Sequence, residues 1–184
     1  YARRRGNRFG IEIYAPWTDL ISSTLIHDIQ MAMSINNSKP ERVFAEAVIR
    51  ECAKYNSHDA VMCLIKFVDG SIASFETSWV VPKNQPEPLD PAFHVIGDKG
   101  SIIIEGSSMG MQIQTDNSYM KPDIANWPII DSKVEGCLKR NLDKFIEDCL
   151  YDNQPEVDVI KAFEVEKIVF AIKKSIAEKR PINL

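Results

Sequence analysis

Apolar residues recur at helical spacing in three stretches of the chain and at the two-residue spacing of strands through much of the rest. The first helical stretch covers about residues 20–35. Ile21, Leu25, Ala32 and Met33 form a core-facing stripe, whereas Ser23, His27, Gln30 and Met31 fall at i, i+4, i+7 and i+8 on another face. Thr18 or Asp19 supplies the N-cap, since either side-chain oxygen can accept an N–H left unpaired in the first turn. Asn36-Asn37-Ser38-Lys39-Pro40 ends the helix. A second face turned to bulk water would carry Lys and Glu; uncharged polar groups and a histidine suit the wall of a cleft.

Residues 1–14 hold the β-formers Phe9, Ile11, Ile13 and Tyr14 around Gly6-Asn7 and Gly10, which predicts a strand and an irregular turn. Residues 43–52, 60–68 and 71–81 predict three strands, joined by a turn at 56–59 and by Asp69-Gly70, a strong hairpin signal. Short turns make these an antiparallel meander, not a βαβ array. In the middle strand Val61, Cys63, Ile65 and Phe67 face one way and Met62, Leu64 and Val68 the other, with Lys66 alone polar. A solvated face alternates more cleanly. Both faces are therefore expected to be covered, one by helices and the other by a second subunit or domain.

Beyond residue 81, the proline-rich segment 83–91 predicts an extended loop. Residues 93–96 and 101–105 predict a hairpin about Gly97-Asp98-Lys99-Gly100, residues 111–115 a short strand, and residues 116–132 an irregular segment. Two helices close the chain, over 133–151 and 157–179. Their stripes are Val134, Leu138, Leu142, Phe145, Ile146, Cys149 and Leu150, then Ile160, Phe163, Ile168, Ala171, Ile172, Ser175 and Ile176. Both stripes are expected to pack on the sheet. The fold class is α+β, an open, predominantly antiparallel β-sheet covered on one face by helices, with residues 1–184 as a single domain.

A net charge of −4 and a pI near 5.4 argue against nucleic acid or an anionic membrane as the main partner. The basic run Arg3-Arg4-Arg5, with Arg8, is either a solvated strand or an anion contact. Apolar runs such as Ile102-Ile103-Ile104 are far too short to cross a bilayer, so no membrane segment is expected. The four cysteines include no C-x-x-C pair and no zinc spacing. Cys52 and Cys63 read as reduced and buried, with a facing position across a hairpin as the alternative, and a cytoplasmic setting follows. No G-x-G-x-x-G or Walker-type loop occurs, so a nucleotide-phosphate cradle is not expected in this chain.

Several segments resemble one family in order and spacing. Ser23-Thr24-Leu25-Ile26-His27-Asp28-Ile29-Gln30 resembles the D-x-x-x-H-x-x-D helix of the glucose–fructose oxidoreductase/inositol dehydrogenase/MocA family. Leu64-Ile65-Lys66-Phe67-Val68-Asp69-Gly70-Ser71 is similar to its strand–DG–strand hairpin, and Ile96-Gly97-Asp98-Lys99-Gly100-Ser101-Ile102 to its second hairpin. The ending Pro155, Ala162, Ala171-Ile172, Ser175 and Pro181-Ile182-Asn183-Leu184 follows its C-terminal helix. The resemblance covers the C-terminal domain only. It implies a preceding N-terminal Rossmann domain, absent from this chain, that holds NAD or NADP and carries the catalytic lysine.

The resemblance further implies an oxidoreductase acting on a sugar, polyol or nucleotide sugar, with a homo-oligomer formed through the open sheet face. His27 matches the family's active-site histidine, whose neutral imidazole can accept a hydroxyl proton as hydride leaves the same carbon. Ser23 stands where the family commonly has an aspartate, and Gln30 replaces a frequent acid, which weakens proton transfer by His27 and favours a substrate outside the inositol type. Ser23, Arg5, Asn7 and Trp17 are the candidate substrate contacts, with Arg8 and Tyr14 as further ones. His58 and His94 read as structural or surface residues. The competing reading is a non-catalytic binding or oligomerisation module on the same fold.

Overall fold

Strand β1, Ala2–Asn7, lies inside a seven-stranded sheet even though it carries three consecutive arginines. The computed structural model describes residues 1–7, 11–87 and 89–184, Asn7 by its backbone alone. The other strands are β2 Pro40–Val48, β3 Ala60–Phe67, β4 Ile72–Val81, β5 Leu89–Gly97, β6 Gly100–Glu105 and, beyond two small hairpins, β11 Ile182–Asn183. Their order is β11-β2-β3-β4-β1-β5-β6. Only β1 and β4 run parallel; every other neighbouring pair is antiparallel. The α+β class and the open, mostly antiparallel sheet are as expected from the sequence.

Alternation divides the sheet cleanly. Val43 and Ala45 on β2, Val61, Cys63, Ile65 and Phe67 on β3, Phe75 and Thr77 on β4, and Ala2 on β1 are buried on one face. The helices lie over that face. A turn of π-helix, Ile21–Leu25, runs directly into helix α2, Ile26–Ile35, and its Ile21, Leu25 and Ile29 are fully buried. Helix α4, Val159–Glu178, crosses β2 and contributes Ile168, Ala171 and Ile172. Ser175 couples the two layers: its buried hydroxyl accepts from Ala45 N at 3.0 Å and donates to Arg180 O at 2.8 Å. The opposite face stays open within this chain, with Met62, Leu64 and Ile72 half exposed or more.

Asp19 is the N-cap that the sequence offered. Its Oδ1 accepts from Ile21 N at 2.9 Å and Ser22 N at 3.0 Å. Asp69-Gly70 closes the β3–β4 hairpin, where Gly70 takes φ of +92°. The meander is antiparallel as expected, and the β5–β6 hairpin forms with Gly97 opposite Gly100.

Several boundaries differ from expectation. The strand over 43–52 stops at Val48, because the Asp59 carboxylate gathers the N–H groups of Glu51 (2.9 Å) and Cys52 (2.7 Å) and winds Glu51–Tyr55 into a 3-10 turn. Cys52 and Cys63 are both free and buried, but Cys63 stands opposite Ala45 and Phe75, not Cys52. Ile11–Tyr14 forms one helical turn, α1, with no buried residue, not strand; Phe9 and Gly10 lie outside the described residues. The irregular segment holds β8, Ser118–Met120, paired with β7, Ile113–Thr115. Farther along, β9, Ile129–Ile130, pairs with β10, Lys133–Val134. That second hairpin, turning at Asp131 and Ser132 with positive φ, delays the next helix, α3, to Cys137–Tyr151.

The largest correction concerns α3. Its stripe is present but unpacked: Leu142, Phe145, Ile146 and Leu150 are 54–72% exposed, and the helix buries no residue. Helix α4 divides in the middle, with Val159, Ile160 and Phe163 outside the core and Val165, Ile168, Val169, Ala171 and Ile172 inside it.

Candidate functional site

The helix that carries His27 is anchored from beneath by a pair of charges. Arg4 alternates with Arg3 and Arg5 along β1, so it faces the helices while they face the open side. Its guanidinium grips Asp28 of α2 with Nε at 3.1–3.2 Å from both oxygens and Nη2 at 2.8 Å from Oδ1. The Asp28 side chain is 4% exposed and that of Arg4 23% exposed. A fork-to-carboxylate pair of this geometry fixes direction as well as position. It sets the rotation of α2 on the sheet, and with it where His27 points.

His27 is exposed on the outward side of α2, and among the described residues no side chain pairs with its ring. Both ring nitrogens are therefore open to a ligand. Ser23, one turn earlier, shares 3.3 Å with Thr24 Oγ1, which itself accepts from Trp79 Nε1 at 2.8 Å. Gln30 bonds within its own helix, Nε2 to Ser34 Oγ at 3.2 Å. Neither supplies a charge beside the imidazole. Trp17 sits in the turn before the helix and is 88% exposed, with Tyr14 also exposed.

The remaining candidates divide. Arg5 is on the sheet face opposite His27, held by Asp90 and by Glu76, whose Oε1 is 3.5 Å from Nη1. The two residues do not share one site. Arg3 also binds Asp90, Nη2 to Oδ1 at 2.8 Å, so the basic run is a set of internal ion pairs. Burial raises the Asp90 carboxyl, but the two guanidiniums bring it below its ordinary value. The Asn7 side chain and Arg8 lie outside the described residues. His94 pairs Nε2 with Glu105 at 3.2 Å and meets Tyr1 edge-on, in a surface role.

A second polar group stands at the start of the helix. Lys173 of α4 donates to Asp19 Oδ2 and to Ser22 Oγ, each at 2.7 Å. Burial works against the Asp19 charge, yet Lys173 and Ser22 hold the carboxyl below its usual value. His58 is kept from charging chiefly by burial, with Asp19 and Asp59 opposing, and its Nδ1 is buried without a partner. Lys173, Asp19 and Ser22 tie α4 to the helix start.

Asp28 is the anchoring residue that the pattern could have revealed. It occupies a core-facing position between Leu25 and Ile29, where a carboxylate must find a partner, and Arg4 sits at the inward register of β1.

The described residues do not form a dinucleotide cradle. Of the described glycines with positive φ, Gly136 alone opens a helix, α3, and the next two amides are used: Cys137 N donates to Ala125 O (2.9 Å) and Leu138 N to Asn126 O (3.1 Å). Nor do three or more His, Cys, Asp or Glu side chains gather as a metal site among the described residues. No described helix is long and apolar enough to cross a membrane.

An open, mostly antiparallel sheet with helices on one face and a histidine-bearing helix at its surface defines the class, an α+β domain. Residues 18–103 match the model of the GFO/IDH/MocA C-terminal domain, which agrees with the motif resemblance. Solved structures agree in fold. Myo-inositol 2-dehydrogenase from Lactobacillus plantarum superposes at TM-score 0.74 and 17% identity, covering 100% of this chain and 56% of that one. A myo-inositol dehydrogenase from Corynebacterium glutamicum gives 0.73 and 15%, with 100% and 55% covered. Scyllo-inositol dehydrogenase from Lactobacillus casei, solved with NAD(H) and scyllo-inositol, gives 0.71 and 12%, with 99% and 55% covered. The chain thus spans about half the length of the structures it matches. No curated protein matches it.

Proposed function

We propose that this chain is the substrate-binding and oligomerisation domain of an NAD(P)-dependent oxidoreductase acting on a sugar, polyol or nucleotide sugar. The observation that carries the reading is His27, held outward on a helix whose rotation Arg4 and Asp28 fix, in the family's histidine motif. The described residues offer the dinucleotide no cradle, so in this reading a separate Rossmann domain binds it and no redox step belongs to these side chains. What His27 supplies is an acceptor for a hydroxyl proton. Ser23, without charge, can orient a hydroxyl but not raise the imidazole's basicity, which fits a substrate unlike the inositols. Trp17, exposed before the helix, offers an apolar face to a sugar ring.

Two surfaces complete the reading. The α3 stripe and the first half of α4 form the contact for the dinucleotide-binding domain. The open sheet face, with a shallow apolar groove lined by Phe44, Met62 and Leu64, is the contact for a second copy. A monomer in sedimentation at micromolar concentration would remove the latter.

The test of His27 is its replacement by alanine in the full-length oxidoreductase. Turnover should fall by about 10²–10⁴ at an unchanged melting temperature, because the ring is exposed. Unaltered turnover takes His27 out of the mechanism and favours the non-catalytic module, a reading supported by Ser23 being bonded to Thr24 and by the lack of a carboxylate beside the imidazole.

A further inference from the structure

The seven-stranded sheet ends in two edges of unlike build. At one end β11 is two residues long. At the other β6 runs for six residues, Gly100–Glu105, and every one of them is exposed. Edges are ordinarily kept from pairing by a proline, a lysine, a bulge or a cover. β6 has neither proline nor lysine, and its register with β5 is unbroken. Among the described residues no strand pairs with its outer side, and Ile102, Ile103 and Ile104 are 56%, 68% and 51% exposed.

The phase of the hydrogen bonds shows which backbone groups face outward. Tyr1 N donates to His94 O at 2.9 Å and His94 N to Tyr1 O at 2.8 Å, so His94 turns both of its groups towards β1. Ile103 stands opposite His94 and therefore has no ladder partner on β5; its N–H and C=O face the free edge. Gly106 N, bonded to Pro91 O at 2.9 Å, keeps the same step. Bonded positions alternate along an antiparallel pair, so Ser101 and Glu105 face outward together with Ile103.

These outward groups are symmetric about Ile103. A two-fold axis there sets two copies of β6 antiparallel, with Ile103 opposite its own counterpart, Ser101 opposite Glu105 and Ile102 opposite Ile104. About six backbone hydrogen bonds result. This register alone uses all three outward residues; a slip by two positions leaves one of them out. It brings isoleucine against isoleucine, a favourable cross-strand neighbour, and no like charges meet. Glu105 faces a serine, and Lys99, one position before the strand, falls diagonal to the other copy's Glu105. We propose that the free edge of β6 is an interface between two copies of this chain, joined edge to edge into one continuous sheet. It is separate from the sheet-face contact and rests on neither that contact nor the oxidoreductase reading.

The test is cysteine cross-linking of the full-length protein under mild oxidation, with disulfide-linked peptides mapped without reduction. In Ile103→Cys the two thiols meet on the axis with Cα atoms about 5.5 Å apart, within disulfide reach, and most chains should carry a 103–103 link. In Ser101→Cys the two positions stand about 14 Å apart along the strands, and no 101–101 link should form. Leu64→Lys spoils the open sheet face and should leave the 103–103 yield unchanged. Ile103→Lys puts two ammonium groups on the axis at an exposed position. It should halve the sedimenting mass at micromolar concentration with the circular dichroism spectrum unaltered. Absence of the 103–103 link, equal linking at 101 and 103, its loss in Leu64→Lys, or an unchanged mass in Ile103→Lys would each overturn the assignment. A thiol in Ile103→Cys that resists both oxidation and maleimide would give the edge to another domain of the same chain, and would overturn it as well.

Discussion

Helices α3 and α4 carry apolar stripes of the same kind, yet the second half of α4 is core and α3 is surface. In α4, Ile168 and Ile172 are fully buried and Ser175 bonds to β2. In α3, Phe145 and Leu150 are about as exposed as the lysines around them. A stripe says that a helix keeps one face for burial. It does not say against what, and the α3 stripe is buried against no part of this chain's sheet. Helix α2 sits between the two cases, anchored by Asp28 below and presenting His27 above.

The sharpest way to break the comparison is through two carboxylates. Asp28→Ala leaves Arg4 unpaired beneath α2 and should cost about 3–5 kcal/mol, with turnover lost as His27 loses its orientation. Asp143→Ala on α3 removes an exposed i,i+4 pair with Lys139, and the melting temperature should not move. Equal losses in the two variants, read by urea denaturation, would mean that α3 is as deeply built into this domain as α2.

The sequence made the layer order legible because strand alternation and short turns leave little freedom: the faces of β3 follow directly from Val61, Cys63, Ile65 and Phe67. The His27 face was legible for the same reason, helical spacing. What stayed hidden depends on contacts far apart in the chain. Pro86 and Pro91 made residues 83–91 read as a loop, whereas β5 begins at Leu89 and pairs along β1 with Pro91 opposite Arg4. Asp59 ended β2 through backbone N–H groups that no local pattern announces. Arg5 looked free for a substrate until Asp90, distant in sequence, was seen to hold it. Gln85 and Glu87 line a cleft only because the segment after β6, residues 106–112, comes back beside them.

A smaller effect separates the same regions by pH. His58 has its native pKa lowered, so the unfolded chain takes up a proton first; the stability it lends is full above its ordinary value of 6.5 and declines as pH falls through the native value. Asp19, Asp59 and Asp90 are also lowered, and their contribution is full above the ordinary 3.8 and lost as pH falls through their native values. Thermal melts should therefore show a shallow loss below pH 6.5, absent in His58→Gln, and a steeper one below about pH 4, reduced in Asp59→Asn. Asp148 on α3 is shifted the same way by Lys144, but on a helix that buries no residue. Replacing it by asparagine should leave both limbs in place. A wild-type profile flat from pH 8 to 5 would contradict the burial of His58.

The gentlest probe leaves stability untouched and asks what covers α3. Cys52 and Cys63 are buried, and burial pushes their thiols up to about 11 and about 12, so near neutral pH neither offers thiolate to a reagent. Cys137 and Cys149 are exposed, and only Cys149 lies on the apolar stripe; Cys137 is turned away from it, its thiol donating to Asn126 Oδ1 at 3.2 Å. In the isolated chain, a maleimide should modify Cys137 and Cys149 and spare the other two. In the full-length protein a domain seated on the stripe should slow Cys149 while leaving Cys137 fast. Peptide mapping after a timed pulse reads all four positions at once. If Cys149 reacts equally fast in both proteins, the stripe is not the contact for the dinucleotide-binding domain. If Cys63 reacts at all in the native state, the face of β3 assigned to the core is wrong, and with it the layer order on which the placement of His27 depends.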